Sequence, residues 1–357
     1  MESGGVDLAR CYWSEVVAPL IRGRWPDLPH AAGRLGGGSD VLGLDDAMSR
    51  DHDWGLRLTL LVPADRVGGV RNLLERELPA TFRGMPTRFA TSWDPAVVHR
   101  VDVMAPEDFA TRHLGVGLDG PVDPVDWLAL TGQSVSEVVA GPVFSDTDGR
   151  LSRLRDILAW YPPDLWRYTL ACDWQRIDQE LPFIGRTAQT GDDVGSRLIT
   201  ARLVRDAMHL GFLLHRRWPP YPKWFGTMFA ALPIAGELQP VFSRAVAADS
   251  WPERERALCQ ALESLLAVQR RAGLPAPGSA TRPFFDRPYR CVSPDVVATL
   301  ARDIEDPVVR GLPLGVGAIE QWVDNVDVLV QPGRRAAVTS AWRFELRAAG
   351  GGHQPDS

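Results

Sequence analysis

Ser49-Arg50-Asp51-His52-Asp53-Trp54-Gly55-Leu56-Arg57-Leu58-Thr59-Leu60-Leu61-Val62 alternates polar with apolar side chains through much of its length and stops at Pro63. A strand sends successive side chains to opposite faces, so this period predicts a sheet strand with one buried face. Carried back, the alternation projects Asp51 and Asp53 to one side and His52 and Trp54 to the other. Two carboxylates sharing so small a space repel unless a cation lies between them, and hard oxygen ligands suit Mg²⁺ bridging to phosphates. Upstream stands Gly36-Gly37-Gly38-Ser39, with eleven residues between Ser39 and Asp51. Glycines permit positive φ and close backbone approach, so consecutive N–H groups and the Ser39 hydroxyl can face an anion.

Working outward, residues 7–21 read as a helix, with Leu8, Cys11, Tyr12, Val16, Leu20 and Ile21 near helical spacing. Ala31 to Leu35 reads as a short strand entering the glycine turn, 64–78 as a covering helix and Val97 to Met104 as another strand. These elements predict a mixed α/β domain over residues 1–145. Beyond Gly149 the pattern changes to amphipathic helices at 151–160, 164–180, 192–216, 224–232, 238–248 and 252–272, with Pro or Gly at the breaks. A proline-rich loop at 275–288 and a helix at 294–304 follow. Residues 146–345 are therefore expected to form an all-α domain, and 346–357 a disordered tail. The fold class is α+β, a mixed-sheet domain followed by a helical one.

A chain of 357 residues is long enough for two such cores. It has no run of eighteen apolar residues, so no membrane span is expected, and its first residues lack the basic-then-apolar pattern of a secretory signal. A cytoplasmic location is the expectation. Cys11, Cys172, Cys259 and Cys291 are widely separated, which fits reduced thiols and no structural metal. The net charge of −6, without a dense basic run, argues against a long nucleic acid and for a small-molecule or protein partner. Arginine is abundant, yet Lys223 is the sole lysine.

Asp102, in His99-Arg100-Val101-Asp102-Val103-Met104, lies mid-strand between apolar residues, where a carboxylate is costly unless satisfied. If its strand neighbours the Asp51 strand, Asp51, Asp53 and Asp102 hold two Mg²⁺ ions. One ion binds the phosphates of ATP or another nucleoside triphosphate, and the other lowers the pKa of an acceptor hydroxyl for in-line attack on the α-phosphate. Lys223, among Trp218, Tyr221 and Trp224, is a compact point charge suited to a β- or γ-phosphate, and Arg186 is the best additional phosphate contact. His52 and His99 beside the acids raise a metal-dependent phosphohydrolase as an alternative, but alternation sends His52 away from both aspartates. The many tryptophans, Trp160, Trp166, Trp174 and Trp218 among them, read mainly as core.

Gly38-Ser39, eleven residues, Asp51-His52-Asp53 and a later Asp102 resemble the nucleotidyltransferase superfamily signature. More specifically, the chain resembles the domain of unknown function 4037 group within it. The likeness runs from Gly38-Ser39-Asp40-Val41 through Asp126-Trp127-Leu128, Gly141-Pro142-Val143-Phe144, Trp160-Tyr161-Pro162-Pro163-Asp164, Phe183-Ile184-Gly185-Arg186, Gly191-Asp192-Asp193-Val194-Gly195-Ser196 and Tyr221-Pro222-Lys223-Trp224-Phe225-Gly226. The resemblance implies transfer of a nucleoside monophosphate, most simply AMP from ATP, to a hydroxyl of a small molecule or protein. Gly38 and Ser39 would hold the triphosphate, and the segment from Gly185 to Ser196 would face the cleft. Gln189 stands where the group commonly carries glutamate, and a glutamine cannot take a proton. A nucleotide-binding protein without turnover is therefore the other reading.

Overall fold

A computed structural model of the chain describes residues 4–44, 55–92, 94–118 and 120–350, at 349–350 by backbone alone. Asp51, His52 and Asp53 lie outside the described residues. Two compact units form, one from Met1–Pro121 and Ser134–Ala159, the other from Val122–Gln133 and Trp160–Ser357.

In the first unit β1 (Ala31–Gly33), β2 (Arg57–Leu61), β5 (Arg88–Thr91), β6 (Asp94–Met104) and β7 (Val143–Asp146) form a mixed sheet of order β5-β6-β2-β1-β7. A two-stranded hairpin, β3 (Thr81–Phe82) and β4 (Met85–Pro86), lies between β2 and β5 in the chain. Strands β2 and β6 pair in parallel, which requires a crossover, and the helix Val67–Glu77 supplies it. Arg71 on that helix donates through Nη2 to Val103 O at 2.6 Å and through Nε at 3.1 Å, pinning it to β6. Leu58, Leu60, Val101 and Val103 share one face, because Leu58 pairs with Val101 and Leu60 with Val103. Against them pack Tyr12, Val17 and Ile21 from a helical stretch that includes a π-helical turn at Trp13–Val17. The alternation in β2 predicted one buried face, but Thr59 and Leu61 on its other face are also buried. Thr59 Oγ1 donates to Leu35 O at 3.4 Å, so the segment leading into the glycine turn covers that face.

The second unit is built mainly of helices. Pro163–Glu180, Asp193–Leu214, Ala235–Ala247 and Trp251–Arg271 are its longest in the predicted region, each within a few residues of the bounds read from periodicity. Trp174 is fully buried and donates through Nε1 to Gln269 Oε1 at 2.7 Å. The expected loop at 275–288 contains a strand instead: β8 (Thr281–Pro283) pairs antiparallel with β9 (Arg290–Val292). Its short length and its proline hid it from a periodicity reading. The last described helix is Pro332–Gly350.

A polar cluster lies inside this unit. His209 Nδ1 is 2.7 Å from Asp173 Oδ2, and Gln321 Nε2 donates to Asp173 Oδ1 at 2.6 Å. Burial alone would lower the His209 pKa, but Asp173 and Glu320 outweigh it and raise it to about 10. The unfolded chain releases this proton near 6.5, so the protonated ring stabilises the fold fully below that pH and loses its contribution as pH rises toward 10. Urea unfolding free energy is expected to fall by about 1.4 kcal/mol per pH unit from about pH 7 to about pH 9. The thiols of Cys172 and Cys259, each pushed up to about 12 by burial, add to the loss only above 9.0. A flat profile over that window would place the proton elsewhere.

Candidate functional site

The glycine turn begins where β1 ends. Gly36 has φ +84° and Gly38 φ +143°, both in the region that favours glycine. A Cβ on Gly38 would lie 2.3 Å from Asp40 Oδ1 and 2.5 Å from Arg34 Nη2. Arg34, 3 % exposed, holds the turn from inside. It donates from Nε and Nη2 to Asp40 at 2.6 and 2.8 Å, from Nη1 to Leu35 O at 2.9 Å and from Nη2 to Gly37 O at 3.1 Å. Arg57 on β2 donates through Nη2 to the same Gly37 carbonyl at 3.1 Å. With that carbonyl drawn toward two guanidinium groups, the planar trans peptide turns the Gly38 N–H to the opposite side. Gly38 is exposed and Ser39 half-buried, so the outward side of the turn meets solvent. Replacement of Gly38 by alanine is expected to destabilise the protein by about 1–3 kcal/mol, because it strains φ and displaces the Arg34–Asp40 pair. Chemical unfolding measures it, and an unchanged midpoint would contradict the described turn.

A histidine–carboxylate pair flanks the turn. His113 Nδ1 lies 2.7 Å from Glu137 Oε2, the Glu137 carbonyl accepts from Gly36 N–H at 2.8 Å, and a Cβ on Gly36 would sit 3.3 Å from His113 Cε1. No local pattern marks this pair, whose members are 24 residues apart on separate helices.

Asp102 is in register with Thr59 on the neighbouring parallel strand, as Arg100 is with Arg57. Paired residues of a parallel ladder share a face, so Asp102 lies on the face of β2 that the glycine turn covers. The expectation of a costly, desolvated carboxylate does not hold for it. Its side chain is 47 % exposed and accepts from Arg112 Nη1 at 2.9 Å through Oδ2. Among the described residues Oδ1 makes no hydrogen bond. His99 sits on the opposite face of β6, its Nε2 3.5 Å from Glu75 Oε2, with its pKa lowered chiefly by burial. It therefore does not join Asp102.

The remaining candidates belong to the helical unit. Lys223 is exposed near the start of the helix Pro222–Phe229, its Nζ 4.9 Å from the centre of the Trp224 ring. Arg186 is exposed on the helix Phe183–Gln189. Gln189 Oε1 accepts from the Tyr289 hydroxyl. Asp192 caps the helix Asp193–Leu214 by accepting from Gly195 N–H at 2.7 Å. Asp193 bonds Arg197 and Arg254, and those hydrogen bonds, Arg197 first, hold its carboxyl below the usual range. Neither aspartate is poised as a base. Trp160 packs edge-on and Trp218 tilted against Tyr161, ring centres 5.4 and 4.6 Å from it, and Trp166 is buried, in keeping with a packing role. In the segment from Asp324 to Asp327, Asn325 caps a short helix, Val326–Val330.

No curated protein matches the chain. A solved structure, that of a nucleotidyltransferase-like protein from Exiguobacterium sibiricum 255-15, is similar at 14 % identity over 76 % of this chain and 77 % of that one, with a TM-score of 0.33. No described helix is long and apolar enough to cross a membrane. The motifs between Trp127 and Phe225 fall within a single family model, whereas the glycine turn and Asp102 lie before it. Residues 127–225 match the family described as a domain of unknown function (DUF4037), in agreement with the resemblance those motifs carry.

Proposed function

We propose that the chain is a Mg²⁺-dependent nucleotidyltransferase that moves AMP from ATP to a hydroxyl of a small molecule or protein. The observation that carries this reading is the glycine turn lying over the face of β2 that Asp102 shares through its register with Thr59. The outward Gly38 N–H and the Ser39 hydroxyl are the donors a phosphate chain needs, and Arg57 beneath the turn adds positive charge near it. Asp102 offers a carboxylate oxygen without a hydrogen bond among the described residues, on the side of the sheet where that chain would lie. Together with Asp51 and Asp53, which lie outside the described residues, it would make a set of hard oxygen donors that fits Mg²⁺. Bound there, Mg²⁺ would neutralise phosphate charge and ease loss of the acceptor proton. Arg112 would exchange its ion pair with Asp102 for contact with phosphate. Lys223 and Arg186 are proposed as outer phosphate contacts, since both are exposed.

The engagement of Gln189 with the Tyr289 hydroxyl favours a second reading, nucleotide binding without turnover, because no base stands at that position. Calorimetry with ATP, with and without Mg²⁺, followed by pyrophosphate release over a panel of alcohol acceptors, separates the two. Mg²⁺-dependent binding with pyrophosphate release is the expected result. Binding indifferent to Mg²⁺ would sink the transferase, and phosphate release without an acceptor would indicate hydrolysis instead.

A further inference from the structure

A cavity of about 500 Å³ opens in the sheet unit, at the end of β1 away from the glycine turn, and His30 and Ser145 both line it. His30 immediately precedes β1, and Ser145 stands on β7 in register with Ala32. One antiparallel pairing therefore sets both the imidazole and the hydroxyl. Ser145 Oγ lies 3.0 Å from His30 Nε2, and His30 Nδ1 lies 2.8 Å from Leu28 O. A carbonyl only accepts, so Nδ1 carries a proton, and Nε2 of the neutral ring presents a lone pair to the hydroxyl. The Ser145 O–H then donates to Nε2. A hydroxyl bonded to an imidazole that a third group orients is the arrangement that activates a serine for attack. Here the orienting group is a main-chain carbonyl.

The pair is held on rigid elements. His30 N–H donates to Thr147 Oγ1 at 2.8 Å, and His30 O accepts from Thr147 N–H at 2.9 Å. Those bonds already tie the start of β1 to the end of β7, so the sheet does not need the contact between ring and hydroxyl to close. The Trp13 ring packs against the imidazole, their centres 5.3 Å apart. Both His30 and Ser145 are half-buried, and the cavity beside them is walled in part by Trp13, Leu28, Pro29 and Phe144. Such a wall suits an aromatic or apolar group. Arg22, Asp27 and Asp148 supply its charges. Asp148 is paired with Arg150 at 3.2 Å, whereas Arg22 makes no ion pair among the described residues. Two carboxylates against one arginine disfavour an anionic substrate such as a phosphoester. The arginine is left to offset an oxyanion that forms only during reaction.

We propose that Ser145 and His30 form an esterolytic centre that takes neutral carboxylic esters with an aromatic or apolar acyl group. Ser145 Oγ bonds to the ester carbonyl carbon as its proton passes to His30 Nε2. The carbon–oxygen bond to the alcohol then breaks, and the departing alkoxide takes the proton from Nε2. Water attacks the acyl-serine and gives a proton to Nε2, and return of that proton to Ser145 Oγ releases the carboxylic acid. The centre lies within the sheet unit, and the inference stands whether or not the chain transfers a nucleotide.

The test uses the full chain with phenylmethanesulfonyl fluoride and with 4-nitrophenyl benzoate. The sulfonyl fluoride is expected to add one group per folded chain, located on Ser145 by peptide mass spectrometry, and to leave Ser145 unmodified in the chain unfolded by urea. Ser145→Ala should remove the adduct and most of the hydrolysis of 4-nitrophenyl benzoate. His30→Gln keeps a hydrogen-bonding side chain without a base and should slow both reactions by about a hundredfold or more. The proposal is overturned if the folded parent gains no adduct on Ser145, if the unfolded chain is labelled there as fast, or if folded Ser145→Ala hydrolyses the ester as the parent does. Labelling undiminished in folded His30→Gln would overturn it equally. Should His30→Gln fail to fold, the alanine variant and the comparison of folded with unfolded parent still decide the matter.

Discussion

Replacing Asp173 by alanine is expected to cost about 3–5 kcal/mol of unfolding free energy at pH 7, among the largest losses a single substitution gives. Asp173 is 1 % exposed and accepts from the imidazolium of His209 and the amide of Gln321. Its removal leaves a cation and an amide donor inside the helical unit, away from water. Asp173→Asn keeps the shape and should cost less, because its oxygen still accepts from one of the two groups. Both variants withdraw the carboxylate that raises the His209 pKa. The alkaline slope of stability between neutral pH and pH 9 should flatten in each. Urea titration of the three proteins across that range measures both effects, and a loss below about 1 kcal/mol in the alanine variant would contradict the buried pair.

Asp51→Asn and Asp53→Asn form the second large prediction. If the proposed function holds, each is expected to lower nucleotidyl transfer by a factor on the order of 10³, since on that reading each removes a charged metal ligand worth several kcal/mol at the transition state. Asp102→Asn should reduce it too, by less, because that carboxylate is half exposed and shared with Arg112. On the same reading amide substitution also relieves repulsion between like charges, so the urea midpoint should not fall in the first two variants. Pyrophosphate release at saturating Mg²⁺ reads the rate, and transfer undiminished in either would reject the metal assignment.

Legibility in the sequence followed the range of the interactions. Strand β2 was readable because alternation is a local property, and its Leu58 and Leu60 face the core as that period requires. The helices Pro163–Glu180 and Trp251–Arg271 were readable because long amphipathic runs end at proline or glycine. The helices Pro106–Leu114 and Gly132–Val139 and the strand Val143–Asp146 were missed, being too short for a period to establish itself. At the site, the glycine turn announced itself through composition. What holds it did not: nothing local pairs Arg34 with Asp40, and the burial of Arg34 comes only from tertiary packing. Asp102 was picked out as a candidate, yet its exposure was misjudged, since apolar neighbours along a strand describe the opposite face. The Asp173–His209–Glu320 cluster lay beyond any local pattern, because its members come from three different helices.

The assignment of Val122–Gln133 to the helical unit bears on how the chain is made. Gly132 N–H reaches Glu320 Oε2, and Thr131 Oγ1 donates to Leu329 O at 2.8 Å, across 188 and 198 residues of sequence. A ribosome adding about 5–20 residues per second needs roughly 10–40 s to cover that distance. Throughout that interval Thr131 and Gly132 have been synthesised without the partners that complete them. The sheet unit's last residue, Ala159, is by then long since made. A nascent chain stalled between residues 160 and 320 should therefore present 122–133 to chaperones and proteases, and a truncation short of Leu329 should leave that segment the first to be cut.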